Sequence, residues 1–143
     1  MMDMLDELKI NTLEGEIKDD ADHFILVEGK EVAGRHIIID LFGASRLDDA
    51  PHIEDAFKKC VEACGATLLH IHTHVFEPNG GVSGVAVLAE SHISTHTWPE
   101  RQYAAFDVFM CGDAEPRAAV KILEKAFEAK HVRVTEILRG EGA

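Results

Sequence analysis

Apolar residues recur along this chain with two different spacings, and these spacings predict which segments form helices and which form strands. Between residues 51 and 64 they return every three or four positions, which places them on one face of a helix. Pro51 suits the first turn of this helix, and Gly65 suits its end. The same spacing predicts a second helix after Pro116. The two apolar faces consist of Ile53, Ala56, Phe57, Cys60, Val61 and Cys64 in the first helix, and Ala119, Ile122, Leu123, Ala126 and Phe127 in the second.

The other apolar segments are short and β-branched, or alternate between apolar and polar residues, and both patterns predict strands. Asn79-Gly80-Gly81 predicts a turn between two of them. The order is strand, helix, several strands, helix, strand, and consecutive strands favour antiparallel neighbours. We therefore predict an α+β fold, a two-layer sandwich of an antiparallel sheet with the helices on one face. The predicted strands cover residues 24–27, 36–42, 66–76, 82–89, 92–98, 103–110 and 132–138.

Length and charge narrow the functional classes. A chain of 143 residues is expected to form one domain. Its net charge of -12 argues against binding to nucleic acid, which requires a basic face, and against binding to anionic membrane surfaces. No apolar run is long enough to span a membrane, and the start of the chain carries acids where a secretory signal carries positive charge. The three cysteines form no CxxC motif. We therefore expect a cytoplasmic protein with reduced thiols.

The acidic residues are concentrated at the start of the chain. Residues 1–34 contain ten acidic residues and three lysines. Asp19-Asp20-Ala21-Asp22 is predicted to be a solvated loop, and the stretch before it a tail or a loose helix. These patterns predict no function for this acidic segment.

The candidate chemistry is concentrated in one run, Leu88-Ala89-Glu90-Ser91-His92-Ile93-Ser94-Thr95-His96-Thr97-Trp98-Pro99-Glu100. Cys111 follows Ser91 by twenty residues, within Phe109-Met110-Cys111-Gly112. This pattern resembles the proenzyme of the prokaryotic S-adenosylmethionine decarboxylases. The resemblance extends from about Gly34 to Leu138 and rests on several spaced elements. It assigns residues 1–33 to an N-terminal extension and residues 34–143 to the decarboxylase domain.

The resemblance implies that the chain cleaves itself. In that family the bond between the residues that match Glu90 and Ser91 breaks, which here would yield chains of residues 1–90 and 91–143. Ser91 would become a pyruvoyl group, the cofactor that forms a Schiff base with the substrate. The family roles place His96 as the base and Ser83 as a hydrogen-bonding helper during cleavage. The alternative interpretations are that His96 is an ordinary strand residue and that Ser83 caps a turn.

The same resemblance implies a catalytic proton donor, a substrate and an assembly. Cys111 matches the donor that returns a proton to the substrate carbon, and an ordinary thiol is mostly protonated near neutral pH. Glu100 matches a residue that binds the ribose hydroxyls of S-adenosylmethionine. Phe76 matches a residue that stacks on the adenine, and Trp98 is expected to bind the substrate together with them. The product is the aminopropyl donor of spermidine synthesis. The enzyme is expected to be a homodimer of processed two-chain protomers, with active sites near the subunit boundary.

Two other functions are compatible with parts of this pattern. A pyruvoyl-dependent arginine or ornithine decarboxylase would use the same cleavage chemistry, but Glu100 and Phe76 favour a nucleoside substrate because a free amino acid has neither ribose nor adenine. A non-processing homologue that regulates a partner would not need Ser83, Ser91, His96 and Cys111 together.

A histidine-rich metal-binding protein is the third alternative. His70, His72 and His74 alternate along one predicted strand and therefore share a face, with His92 nearby. Three imidazoles along one straight strand are too far apart, from end to end, for tetrahedral ligation. The resembled family uses no metal. We therefore predict no metal site, and expect one or two of these histidines at the active site or the dimer contact.

Overall fold

The computed structural model of the chain describes residues 24–143. The predicted loop at residues 19–22, and most of the acidic segment, lie outside the described residues. The described part forms eight strands and two α-helices in an α+β arrangement. The elements are β1 (Ile25–Val27), β2 (Lys30–Val32), β3 (Gly34–Phe42), α1 (Ala50–Cys64), β4 (Leu68–Val75), β5 (Val82–Leu88), β6 (Ser91–Trp98), β7 (Tyr103–Cys111), α2 (Ala118–Ala126) and β8 (His131–Arg139).

Six of the strands form one antiparallel sheet in the order β4-β5-β6-β7-β3-β8. Strands β4 to β7 follow one another as a meander because each connection between them is short. Strand β3 is inserted between β7 and β8, so the first long strand pairs with the last two. Strands β1 and β2 form a separate two-stranded hairpin.

Both helices pack on one face of the sheet. Helix α1 begins after Asp49, whose side chain accepts a hydrogen bond from the backbone N–H of His52 at 3.1 Å. It ends at Gly65, which adopts the left-handed conformation at φ 75°. The predicted apolar face of α1 is buried against the sheet, and Phe127, one residue beyond α2, is also buried. This arrangement confirms the predicted two-layer sandwich.

Gly84 allows α1 to approach the sheet closely. A Cβ atom at this position would lie 3.2 Å from the ring of Phe57 and 3.1 Å from the methyl group of Thr73. Phe57 is fully buried, and its ring meets that of Phe106 edge to face at 6.3 Å between centroids. The missing side chain in β5 therefore makes room for the largest apolar residue of α1.

The opposite side of the sheet carries polar and aromatic side chains, and no helix of residues 24–143 covers it. Because side chains alternate along a strand, the neighbours of the core residues point to this side, which we call the open face. The open face includes His36, Asp40, Phe42, Ser83, His92, Ser94, His96, Trp98, Tyr103 and Asp107.

The predicted strands and helices are found with small shifts at their ends. The main omission is β2, because no strand was predicted between residues 27 and 36. A three-residue strand such as Lys30–Val32 is too short for alternation to be visible. Its pairing with β1 and the complete burial of Val32 make it part of the fold.

Candidate active site

The bond between Glu90 and Ser91 lies in the tight turn that connects β5 to β6. Leu88 pairs with Ser91 across this hairpin, so Ala89 and Glu90 alone form the turn. Glu90 has a φ angle of 61°, in the left-handed region that residues other than glycine rarely adopt. The N–H of Ala89 donates a hydrogen bond to the carbonyl of Thr67 at 2.9 Å, which fixes the turn to the start of β4. The backbone at this bond is therefore both strained and held in place.

Cys111, the last residue of β7, contacts both sides of the same bond. Its thiol donates to the carbonyl oxygen of Glu90 at 3.1 Å, and its backbone N–H donates to the hydroxyl oxygen of Ser91 at 3.2 Å. Gly34 lies opposite Cys111 in β3, where a Cβ atom would collide with the carbonyl oxygen of Met110. Partial burial, together with the nearby carboxylate of Glu90, raises the pKa of the Cys111 thiol. The thiol is therefore protonated at neutral pH and able to donate.

His96 and Ser83 form a second pair, at the other end of the β5–β6 hairpin. The hydroxyl of Ser83 and Nδ1 of His96 are 2.8 Å apart, and the two residues are direct partners across the strands. His96 is exposed. It lies five residues beyond Ser91 on the same strand, and five residues of extended chain span about 16 Å. Within one copy of the chain, this pair is therefore well separated from Ser91 and Cys111.

A cleft of about 220 Å³ adjoins the Ser83–His96 pair. Two aromatic residues border it and are unusually exposed for their size, Phe76 at 46% and Trp98 at 38%. Such exposed aromatic side chains beside a cleft are suited to stacking on a planar ligand. The cleft is lined by Phe76, Asn79, Gly81, Val82, Ser83, His96, Thr97 and Trp98.

Glu100 is exposed and lies in a short 3₁₀ helix, Pro99–Arg101, directly after β6. It follows Trp98 by two residues but is not among the residues that line the cleft. The structure thus brings together two groups of predicted residues, one with Ser91 and one with His96, and places Glu100 beside the second.

A third cluster on the open face was not predicted. One carboxylate oxygen of Asp107 lies 2.6 Å from Nε2 of His36 and 3.1 Å from Nε2 of His92. Ser94 donates to the other oxygen of Asp107. Asp107 is the only charged residue in the apolar strand Tyr103–Cys111. A single charge in such a strand indicates a residue with polar partners, and this was the feature of the sequence from which the cluster could have been predicted.

The spacing of His36, His92 and Asp107 is compatible with a metal ion, since their ligand atoms lie within 4.8 Å of one another. The other nitrogen of His36, however, faces Arg139 Nη1 at 3.1 Å. Arginine only donates, so Nδ1 of His36 accepts and Nε2 carries the proton. A metal-bound histidine needs the reverse arrangement, with its second nitrogen donating to an acceptor. The cluster is therefore better described as a hydrogen-bond network.

The three alternating histidines lie on β4, the edge strand, where His70, His72 and His74 are all exposed. Among residues 24–143, the group with metal-ligand spacing does not include them. The ring of His74 contacts that of Phe76, with centroids 4.5 Å apart. One of the three thus lies next to the cleft.

A larger cleft of about 440 Å³ lies on the helix side and contains none of the predicted site residues. Its polar side chains are largely paired within the protein. Arg46 contacts Asp49 at 2.8 Å, and Nε2 of His52 lies 2.7 Å from the carbonyl oxygen of Ala126. Size alone therefore does not identify the functional site. In the same described part of the chain, no helix is long and apolar enough to cross a membrane.

Comparisons with known proteins support the sequence resemblance. The family model of S-adenosylmethionine decarboxylase matches residues 35–140. An S-adenosylmethionine decarboxylase proenzyme from Methanococcus maripaludis is 50% identical over 110 residues, which cover 75% of this chain and 89% of that protein. One from Thermomicrobium roseum is 44% identical over 108 residues, covering 75% and 93%. The crystal structure of the adenosylmethionine decarboxylase from Aquifex aeolicus superposes with a TM-score of 0.70 at 31% identity, covering 78% of this chain and 94% of that one.

Proposed function

The chain belongs to the S-adenosylmethionine decarboxylase family, and we propose that it is the self-cleaving proenzyme of a pyruvoyl-dependent S-adenosylmethionine decarboxylase. One observation carries the proposal: Cys111 contacts both the carbonyl oxygen of Glu90 and the hydroxyl of Ser91, at a turn where Glu90 is strained. Cleavage at this bond would divide the chain into residues 1–90 and 91–143. The product would be the decarboxylated aminopropyl donor used in spermidine synthesis.

The contacts at the turn support the first step of cleavage. The hydroxyl oxygen of Ser91 attacks the carbonyl carbon of Glu90, the bond to the Ser91 nitrogen breaks, and an ester replaces the amide. The thiol of Cys111 is placed to stabilise the negative charge that develops on the Glu90 oxygen. The left-handed conformation of Glu90 raises the energy of the uncleaved bond by roughly 1–2 kcal/mol. Both effects favour reaction at this bond over its neighbours.

The second step requires a base. Removal of the Cα proton of Ser91 breaks its Cβ–O bond, and Glu90 leaves as a carboxylate at the end of residues 1–90. The dehydroalanine left at position 91 takes up water and releases ammonia, so that a pyruvoyl group remains. We assign the base to His96, which faces Ser83 at 2.8 Å and is exposed.

The surroundings of position 91 fit a pyruvoyl group. Ser91 begins β6, where the sheet fixes its geometry, and it is only partly buried. The group would supply a carbonyl that condenses with the substrate's α-amine and accepts electrons as carbon dioxide leaves. Cys111 holds a proton next to this position, because its pKa is raised by burial and by Glu90. We assign it the delivery of that proton to the substrate carbon.

The proposed active-site residues form two half-sites in one copy of the chain, Ser91 with Cys111 and Ser83 with His96. Their separation favours a dimer. About 16 Å of strand lies between Ser91 and His96, too far for proton transfer within one copy. His96 and Cys111 both alternate with core residues of their strands and lie on the side of the open face, which also carries the exposed apolar residues Val87 and Trp98. We propose that two copies pack through their open faces, so that Ser83 and His96 of each subunit reach Ser91 and Cys111 of the other. This also explains why one copy separates residues that the chemistry needs together.

The cleft beside His96 supports S-adenosylmethionine as the substrate. Phe76 and Trp98 offer aromatic faces for the adenine ring, and a sulfonium ion is attracted to such faces. Glu100 is exposed just beyond the cleft, and its carboxylate can accept hydrogen bonds from both hydroxyls of a ribose. Arginine and ornithine have no ring for these residues to bind.

The test is intact-mass spectrometry of the purified protein under denaturing conditions, followed by assays of carbon dioxide release. We expect two chains that separate between Glu90 and Ser91, the smaller one lighter by one ammonia than a peptide beginning with serine. Carbon dioxide should be released from S-adenosylmethionine and not from arginine or ornithine. A single uncleaved chain after long incubation would refute the proposal.

A further inference from the structure

Asp107 lies at the centre of a hydrogen-bond network that joins four adjacent strands on the open face. His36 on β3 and His92 on β6 contact the same carboxylate oxygen, at 2.6 Å and 3.1 Å. Ser94 on β6 donates to the other oxygen. Arg139 on β8 contacts the remaining ring nitrogen of His36 at 3.1 Å. Nothing in the cleavage or decarboxylation chemistry described above uses these residues.

The direction of each hydrogen bond follows from the donors available. Arg139 donates to Nδ1 of His36, so Nε2 of His36 donates to Asp107. An ionised carboxylate only accepts, so His92 and Ser94 donate to it as well. Partial burial of Asp107 raises its pKa, but the bonds from Ser94, His36 and His92 outweigh this effect and hold the pKa below its usual value. Asp107 is therefore an anion that accepts three hydrogen bonds at neutral pH.

The network holds the residue next to the cleavage site. His92 follows Ser91 directly, and its backbone nitrogen is bonded to the carbonyl carbon of residue 91. After cleavage, β6 would begin at residue 91, with no covalent link to β5. New chain ends fray unless other contacts hold them. The side chain of His92 supplies such a contact, because it is tied to Asp107 in the centre of the sheet.

We propose that Asp107 is a positioning residue: through His92, it keeps the group at position 91 aligned with Cys111 after the chain has been cleaved. The proposal rests on the proposed function, since it concerns the pyruvoyl group at position 91. Such an anchor affects the rate because it keeps the reacting group aligned within a fraction of an ångström. A displacement of 1 Å lowers the rate by as much as about a hundredfold. Substrate binding at the cleft bordered by Phe76 and Trp98 does not depend on this anchor.

The experiment compares Asp107→Asn with Asp40→Asn in the cleaved enzyme. Asp40 is a matched control, because it lies on the same face with 24% of its side chain exposed against 23% for Asp107, and it accepts a hydrogen bond from Tyr103. We expect Asp107→Asn to lower kcat by tenfold to about a hundredfold, with KM changed by less than about twofold. Asp40→Asn should change kcat by less than about twofold.

A second measurement does not depend on activity. In the cleaved Asp107→Asn variant, hydrogen exchange should be faster in the peptide that begins at residue 91. The same peptide should exchange normally in the Asp40→Asn variant. In the uncleaved Ser91→Ala protein, where β5 still holds β6, the Asp107→Asn change should accelerate exchange much less. Equal acceleration in cleaved and uncleaved protein would mean a general structural role and would overturn the proposal.

His92→Phe tests whether Asp107 acts through His92. It keeps a ring but removes the donor, so it should lower kcat as much as Asp107→Asn does, and the double variant should be no worse than either single one. His92→Gln, which restores an N–H donor, should recover part of the loss. Additive losses in the double variant would show that the two residues act separately. If Asp107→Asn does not fold, His92→Phe and His92→Gln provide the same kinetic and exchange tests.

The outcome for wild-type protein separates this proposal from the proposed function. Wild-type protein that neither cleaves nor releases carbon dioxide overturns both. If wild-type protein does both, and Asp107→Asn matches Asp40→Asn in kcat and in hydrogen exchange, only the positioning role is overturned.

Discussion

The thiol of Cys111 lies 3.1 Å from the carbonyl oxygen of Glu90, the residue that precedes the proposed cleavage point. These residues are 21 positions apart in sequence and meet because β6 pairs with both β5 and β7. In the proposed mechanism Cys111 therefore acts twice at this position: it polarises the Glu90 carbonyl before cleavage and holds a proton for the substrate afterwards.

The first prediction concerns the protonation of Cys111. Burial, and then the carboxylate of Glu90, raise the pKa of this thiol above its ordinary value of 9.0. Alkylation of Cys111 in uncleaved Ser91→Ala protein, followed by peptide mass spectrometry, should therefore have its midpoint above pH 9.0. Glu90→Gln removes one cause and should lower the midpoint. A midpoint below the ordinary value would contradict the proposed role of the thiol as a donor.

The second prediction concerns strain in the turn. Glycine adopts the left-handed conformation of Glu90 without penalty, so Glu90→Gly should stabilise the uncleaved Ser91→Ala protein by about 1 kcal/mol. In a chain that retains Ser91, the same change should slow cleavage by about fivefold, because less strain is released. Chemical denaturation and time-resolved mass spectrometry measure the two effects. Ala89→Gly, in the same turn but without positive φ, should not stabilise the protein.

The third prediction concerns the shared active site. Ser91→Ala and His96→Ala chains should each remain uncleaved when expressed alone. When they are expressed together with different tags, the His96→Ala chain should be cleaved, because the Ser91→Ala subunit supplies His96. Mass spectrometry distinguishes the two chains. If the His96→Ala chain is cleaved when expressed alone, His96 is not the base; if mixing never restores cleavage, the site is not shared between subunits.

The fourth prediction concerns substrate recognition by Glu100. Hydrogen bonds to charged groups contribute about 1.5–3 kcal/mol, so Glu100→Gln should raise KM for S-adenosylmethionine by roughly tenfold to a hundredfold. The rate of self-cleavage should change little, because neither of the proposed cleavage steps uses the Glu100 carboxylate. Glu62→Gln, an exposed change on α1, is the control and should alter neither quantity. A larger effect on cleavage than on KM would place Glu100 in the processing step.

The fifth prediction concerns the ionisation of Asp107. Its pKa is lower in the folded protein than the ordinary value of 3.8. The resulting stabilisation is fully present above pH 3.8 and is lost as the pH falls through the folded pKa. Carbon-detected NMR of the Asp107 carboxyl in Ser91→Ala protein should give a midpoint below 3.8. Ser94→Ala removes one donor and should raise it, whereas an unchanged midpoint would exclude this bond as a cause.

Local patterns in the sequence were sufficient for most of the fold. Three- and four-residue spacing identified α1, and Gly65 marked its end, because both depend on residues close together in the chain. The strands were found for the same reason. Strand order was not determined by these patterns, since the insertion of β3 between β7 and β8 depends on pairings between residues up to about a hundred positions apart.

The sequence by itself determined which residues are proposed to carry the chemistry, because the spacing of Ser91, His96 and Cys111 resembles that of one family. Only the tertiary structure decided how they are grouped. It joined Cys111 to Glu90 through strand pairing and separated His96 from Ser91, because a residue five positions further along an extended strand is about 16 Å away. It also gathered Asp107 with three residues from neighbouring strands, since side-by-side contacts in a sheet leave no pattern along the chain.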